Sequence, residues 1–169
     1  PARATLRDLD LGRPLIVAAN GHAIAGGMEM LLAGDLRVVA TGARLGLSEV
    51  KLGLIPAMGG TARLARLVSP ALAAEMLLTG NPIDADGALA AGLVNYVVSA
   101  EKVEEVALEL AATIADNAPL AVRAARKVMR RAADLSEVGA LALESAEAVK
   151  VAASEDAQEG PRAFMEKRP

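Results

Sequence analysis

From Pro14 to Gly34 the chain carries one formal charge, Glu29, in a stretch otherwise built from Leu, Ile, Val, Ala, Met, Gly, Asn, Pro and His. A run this apolar belongs to the interior, and its breaks decide what it folds into. Leu15 to Ala19 follows a proline, ends at Asn20-Gly21 and has apolar residues on both faces, which predicts a strand of a parallel sheet covered on both sides. Ala25-Gly26-Gly27 then opens an apolar helix to about Ala33, and Gly34 ends it before a second strand, Leu36 to Ala40. The interruptions by Gly, Asn and Glu leave neither a signal peptide nor a membrane span.

Beyond this unit, Leu45 to Leu54 mixes glycines with Ser48-Glu49 and reads as irregular backbone, leading into Pro56-Ala-Met-Gly59-Gly60. Segments of this kind often line sites. Thr61 is expected to cap a helix to about Val68, and Ala71 to Leu78 forms another before Thr79-Gly80-Asn81-Pro82. Asp84 should cap a helix that Gly92 ends, and Leu93 to Val98 is the last strand. From Ser99 the pattern turns helical: about Ala100 to Asp116, Leu120 to Ala133, Ser136 to Ala153 and Ser154 to Lys167. With no Gly/Ser or Pro-rich linker between them, 1–98 and 99–169 read as an α/β part and an all-helical layer of one folding unit. The helical layer suits oligomerisation.

Composition narrows the chemistry. Of 169 residues 53% are hydrophobic, enough to bury a sizeable core, and a net charge of −3 argues against nucleic acid as a partner. Without cysteine there is no disulfide framework or thiolate ligand, and a single His builds no metal cluster, so no metal is expected and a reducing cytoplasm fits. One Phe, one Tyr and no Trp leave a core of aliphatic side chains and Met, with no aromatic cage. The chain begins Pro-Ala-Arg, and its natural N-terminus is expected upstream.

Glu29, flanked by Met, Leu and Ala at the start of a helix, is expected to be buried. Burial disfavours a carboxylate's charged form while a helix N-terminus favours it, a balance suited to acid/base work. Gly26 and Gly27 would let backbone N–H groups face a developing oxyanion, although a Gly pair also serves as a plain turn. By itself Glu49 reads as an exposed loop acid or a partner of Lys51 rather than as a catalytic residue. His22 is better placed as a pocket wall than as a base, and Arg63 and Arg66 as helix-surface or salt-bridge residues.

The segment Asn20-Gly-His-Ala-Ile-Ala-Gly-Gly-Met-Glu29-Met-Leu-Leu-Ala-Gly-Asp35 resembles the signature of the enoyl-CoA hydratase/isomerase (crotonase) superfamily. Leu45-Gly-Leu-Ser-Glu49-Val-Lys-Leu-Gly53-Leu-Ile-Pro56-Ala-Met-Gly59-Gly60-Thr-Ala-Arg63-Leu64 resembles its second active-site segment, and Ser154 to Arg168 its closing helix. Four departures stand out: Ala25 replaces the first glycine of the usual triplet, Ala19 stands where a larger aliphatic is common, Gly34 replaces a small residue, and Leu47-Ser48 precedes Glu49 where many relatives have Pro.

The resemblance implies an α/β, crotonase-like spiral of ββα turns, incomplete at its N-terminus, followed by a C-terminal all-helical trimerisation region. It implies Glu29 and Glu49 as the catalytic acids, Gly26 as an oxyanion-hole donor, and Phe164 and Lys167 as CoA contacts in this subunit or a neighbour. The second oxyanion donor and much of the CoA site would come from turns before Pro14. The activity implied is syn hydration of a trans-2-enoyl-CoA in fatty-acid or related acyl-CoA metabolism. No metal or redox cofactor is needed beyond the CoA of the substrate, and the partner is a second and third copy, as a trimer or hexamer. Alternatives are carnitinyl-CoA dehydration, enoyl-CoA isomerisation, or an inactive oligomer-forming fragment.

Overall fold

Pro14 leads into β1 (Ile16–Ala19), which pairs in parallel with β3 (Leu36–Ala40), and β3 pairs in parallel with β6 (Tyr96–Val98), giving a sheet ordered β1-β3-β6. A second small sheet holds β2 (Ala23–Ile24), β4 (Arg44–Gly46) and β5 (Ile83–Asp84), with β2 and β4 parallel and β5 antiparallel to β4. The computed structural model describes residues 6–7 and 10–168. The chain divides into two compact units, 1–11 with 15–111 and 12–14 with 112–169.

In the first unit, strand alternation gives β3 two buried faces. Val38 and Ala40 pack with Val103 and Ala107 of α5 (Val103–Ala115), while Val39 joins Met28, Leu31 and Leu32 of α1 (Gly26–Ala33). β1 is also covered on both sides, Val17 and Ala19 packing against the larger core and Ile16 against the Val38 cluster. β1 is an edge strand with Ala18 exposed.

The larger core also takes in Leu45, Leu47, Leu64 of α2 (Gly60–Leu67), Met76 of α3 (Pro70–Thr79) and Ala88 of α4 (Ala85–Ala90). Ser69 and Asp84 cap α3 and α4 by accepting from Leu72 N–H at 3.3 Å and Gly87 N–H at 2.8 Å. Gly80 follows α3 in the left-handed region at φ 66°, where glycine avoids strain.

Four expectations are corrected. The stretch 45–54 is ordered: β4 ends at Gly46, and Glu49–Leu52 forms a 3-10 helix closed by Gly53 at φ 71°. Thr61 caps nothing, because α2 begins a residue earlier and the hydroxyl donates to Pro56 O at 3.1 Å. The last strand starts at Tyr96, since the Arg37 guanidinium takes the Leu93 carbonyl at 2.6 Å and Leu93 N–H donates to Ala88 O. Ala100–Lys102 is a 3-10 turn ahead of α5.

In the second unit α6 (Pro119–Ala132), α7 (Glu137–Ala152) and α8 (Glu155–Glu166) follow in sequence. Pro119 sits at the start of α6, where its missing N–H costs nothing. Ser136 and Ser154 cap α7 and α8. Among the described residues no helix is long and apolar enough to cross a membrane.

Candidate active site

The parallel pair β2 and β4 sets the entrance to α1. Ala25 N–H donates to Gly46 O at 2.9 Å, and Ala25 then turns the chain into the helix at φ 52°, ψ −121°. An L-residue rarely adopts this conformation, so Ala25 in the place of a glycine is tolerated at a cost in backbone strain. As the first two residues of a helix, Gly26 and Gly27 have no intrahelical acceptor for their N–H groups. A Cβ added at either would meet nothing within 4 Å, so the helix start faces open space.

Glu29 lies in the first turn of α1 and is 4% exposed. Its Oε1 accepts from two backbone N–H groups, Met58 at 2.7 Å and Gly60 at 3.0 Å. These amides come from the Pro56–Gly60 loop, which packs so closely that a Cβ at Gly60 would fall 3.0 Å from Oε1 and 2.8 Å from Pro56 Cβ. The clamp fixes one carboxylate oxygen, Oε1, in place. Charged acceptors of backbone N–H groups make the stronger hydrogen bonds, so this orientation is well held.

Glu49 opens the 3-10 turn that leads into the same loop. Its Oε2 is buried and has no hydrogen-bond partner, alone in this among buried side-chain N and O atoms of the described residues. The ion pair with Lys51 does not form, because Lys51 Nζ donates to Asn81 Oδ1 at 2.7 Å. A buried oxygen without a protein donor is costly, and it calls for a partner from outside the chain, whether water, ligand or reacting atom.

The other named residues fall elsewhere. His22 is exposed and its Nδ1 accepts from Arg44 N–H at 2.9 Å, so it ties the start of β2 to β4. Phe164 and Lys167 belong to the second unit and are exposed, Lys167 ending α8 at φ 53°. Arg66 lies exposed on α2. Among the described residues no three His, Asp or Glu side chains gather as a metal site requires. What sequence reasoning missed is the clamp itself. Met58 and Gly60 act through main-chain N–H groups, which every residue but proline carries, so only the Gly59-Gly60 pair hinted at a close approach.

Residues 5–169 match the enoyl-CoA hydratase/isomerase family. A carnitinyl-CoA dehydratase of Citrobacter koseri is 44% identical over 164 residues, 94% of this chain and 62% of the relative. An enoyl-CoA hydratase structure from Bacillus anthracis superposes with TM-score 0.93 at 39% identity, covering 99% of this chain and 65% of that one. One from Mycobacterium marinum gives TM-score 0.93 at 37% identity, covering 96% and 67%. The chain therefore spans 62% of the length of the curated relatives it matches. On this likeness, and with a crotonase-like fold, the chain belongs to the enoyl-CoA hydratase/isomerase family.

Proposed function

We propose that the chain carries the acid/base half of an enoyl-CoA hydratase, adding water reversibly to a trans-2-enoyl-CoA to give a 3-hydroxyacyl-CoA. The observation that carries this reading is the unlike pair of carboxylates. Glu29 is gripped through one oxygen by two amides, while Glu49 presents a buried oxygen with no partner. In the proposed reaction Glu29 accepts a proton from water as the oxygen attacks C3, and Glu49 delivers a proton to C2 on the same face. The negative charge that builds on the thioester oxygen would be met by the Gly26 N–H at the open helix start. No redox cofactor or metal enters the scheme. Phe164 and Lys167 are proposed CoA contacts, and the working form is proposed to be a trimer or hexamer.

A second reading, dehydration of carnitinyl-CoA, uses the same two acids in the reverse sense and is favoured by the names of the curated relatives. An isomerase would need only one acid. Mass-spectrometric product analysis of the purified chain on crotonyl-CoA, carnitinyl-CoA and a 3-enoyl-CoA separates these outcomes. The hydratase reading expects 3-hydroxybutyryl-CoA from crotonyl-CoA as the fastest reaction. Turnover of none of the three by a sample of correct intact mass would overturn it in favour of a non-catalytic, oligomer-forming role.

A further inference from the structure

Arg63, in the first turn of α2 and partly buried, reaches back to earlier segments of the chain. Its Nη1 donates to the main-chain oxygen of Glu29 at 3.4 Å and its Nη2 to that of Leu6 at 2.8 Å. Gly59 has φ 105°, and a Cβ there would lie 2.9 Å from Nη1 and 3.0 Å from Cζ, so the guanidinium occupies the space a side chain at 59 would need. Gly59 stands between Met58 and Gly60, the two residues whose N–H groups hold Glu29 Oε1. One planar group thus bonds the backbone of Glu29 and fills the space beside Gly59, in the middle of the loop that grips its carboxylate.

We infer that Arg63 is a positioning residue for Glu29, bridging the main chain of the acid to the loop that clamps its side chain. The inference rests on the proposed hydratase chemistry for its kinetic consequence and on geometry alone for its structural one. A flat, forked guanidinium with fixed donors can span two carbonyls and lie against a glycine, which a lysine ammonium cannot. Without it the Pro56–Gly60 loop keeps its bonds to the carboxylate but loses the brace that sets their direction. Small misplacement of a catalytic base is costly in rate and nearly silent in substrate binding.

The test pairs kinetics on crotonyl-CoA with amide hydrogen exchange on the same 169-residue chain. Arg63→Ala is expected to lower kcat by about 10- to 100-fold with KM unchanged, and added guanidinium at non-denaturing concentration to recover part of the loss. Arg63→Lys should remain impaired and serves in place of Arg63→Ala where that variant does not fold. In a Glu29→Gln background Arg63→Ala should cause no further loss, because it acts through the missing acid. Exchange at the Met58 and Gly60 amides should quicken while that of Val38 to Ala40 in the core holds. Wild-type kcat, a loss confined to KM, full additivity with Glu29→Gln, or unchanged exchange at 58 and 60 would each overturn the inference. Full activity of Glu29→Gln would instead remove the catalytic reading, and the exchange measurement would still decide whether Arg63 braces the loop.

Discussion

At the scale of single residues, Glu29 and Glu49 differ in how the protein holds them, and their substitutions should differ accordingly. Glu29→Gln keeps an oxygen that accepts from Met58 and Gly60, so the fold should survive while proton transfer is lost. Glu49→Gln alters a group whose Oε2 has no protein partner, and should leave stability equally unchanged. Each is expected to cut crotonyl-CoA hydration by roughly 10²- to 10⁴-fold, with thermal melting as for the parent. Full activity in either variant would dismiss the two-acid scheme. Ala25 offers the opposite test, of stability rather than chemistry. At φ 52° a glycine relieves strain of about 1–3 kcal/mol and gives back part of it to chain entropy, so Ala25→Gly should stabilise by about 1 kcal/mol. Calorimetry should show a rise in Tm of about 2–4 °C.

At the scale of elements, the interior positions of β3 and α1 follow from their side-chain periods. Val38 and Ala40 must face one side and Val39 the other, whatever packs against them. The segment 45–54 was illegible for a different reason. Its glycines and polar residues carry no period, and Gly53 closes a 3-10 turn by a positive φ that the sequence allows but does not demand. In the second unit, the pairing of α6 with α7 is marked by Glu147, whose Oε1 accepts from Lys127 at 2.8 Å and Lys150 at 2.7 Å. Lys127 first, then Lys150, holds this carboxyl below its ordinary value. A folded-state value below the unfolded one gives stability that is complete above the ordinary carboxylate range and is lost as pH falls through the folded value. Acid titrations followed by NMR should therefore find Glu147 titrating below the ordinary glutamate range, and Lys127→Ala should move it upward. An unchanged titration in Lys127→Ala would show that the pair does not couple the helices.

At the scale of the whole molecule, the α6 to α8 region leaves Met129, Val138, Leu141, Val149, Phe164 and Met165 at least half exposed. Large side chains in that number are uncommon on a surface that meets only water. Sedimentation of the chain should show self-association, and Val138→Asp with Leu141→Asp should shift the distribution toward monomer while circular dichroism stays unchanged. A monomer at all concentrations would remove the trimer and hexamer proposal.

The sequence alone determined the order of most elements, the burial of Glu29 and the family, because those depend on local period, on caps such as Ser69 and Asp84, and on the spacing of two motifs. It left Glu49 indistinguishable from a solvated loop acid and Arg63 from a helix-surface cation. Only the tertiary structure separates these readings, since it buries Glu49 Oε2 away from any protein donor and brings the Glu29 and Leu6 carbonyls, distant in sequence, within reach of Arg63. Main-chain donors and close approaches such as Gly59 against a guanidinium leave almost no residue-type signature, and so they become visible only when the chain has closed on itself.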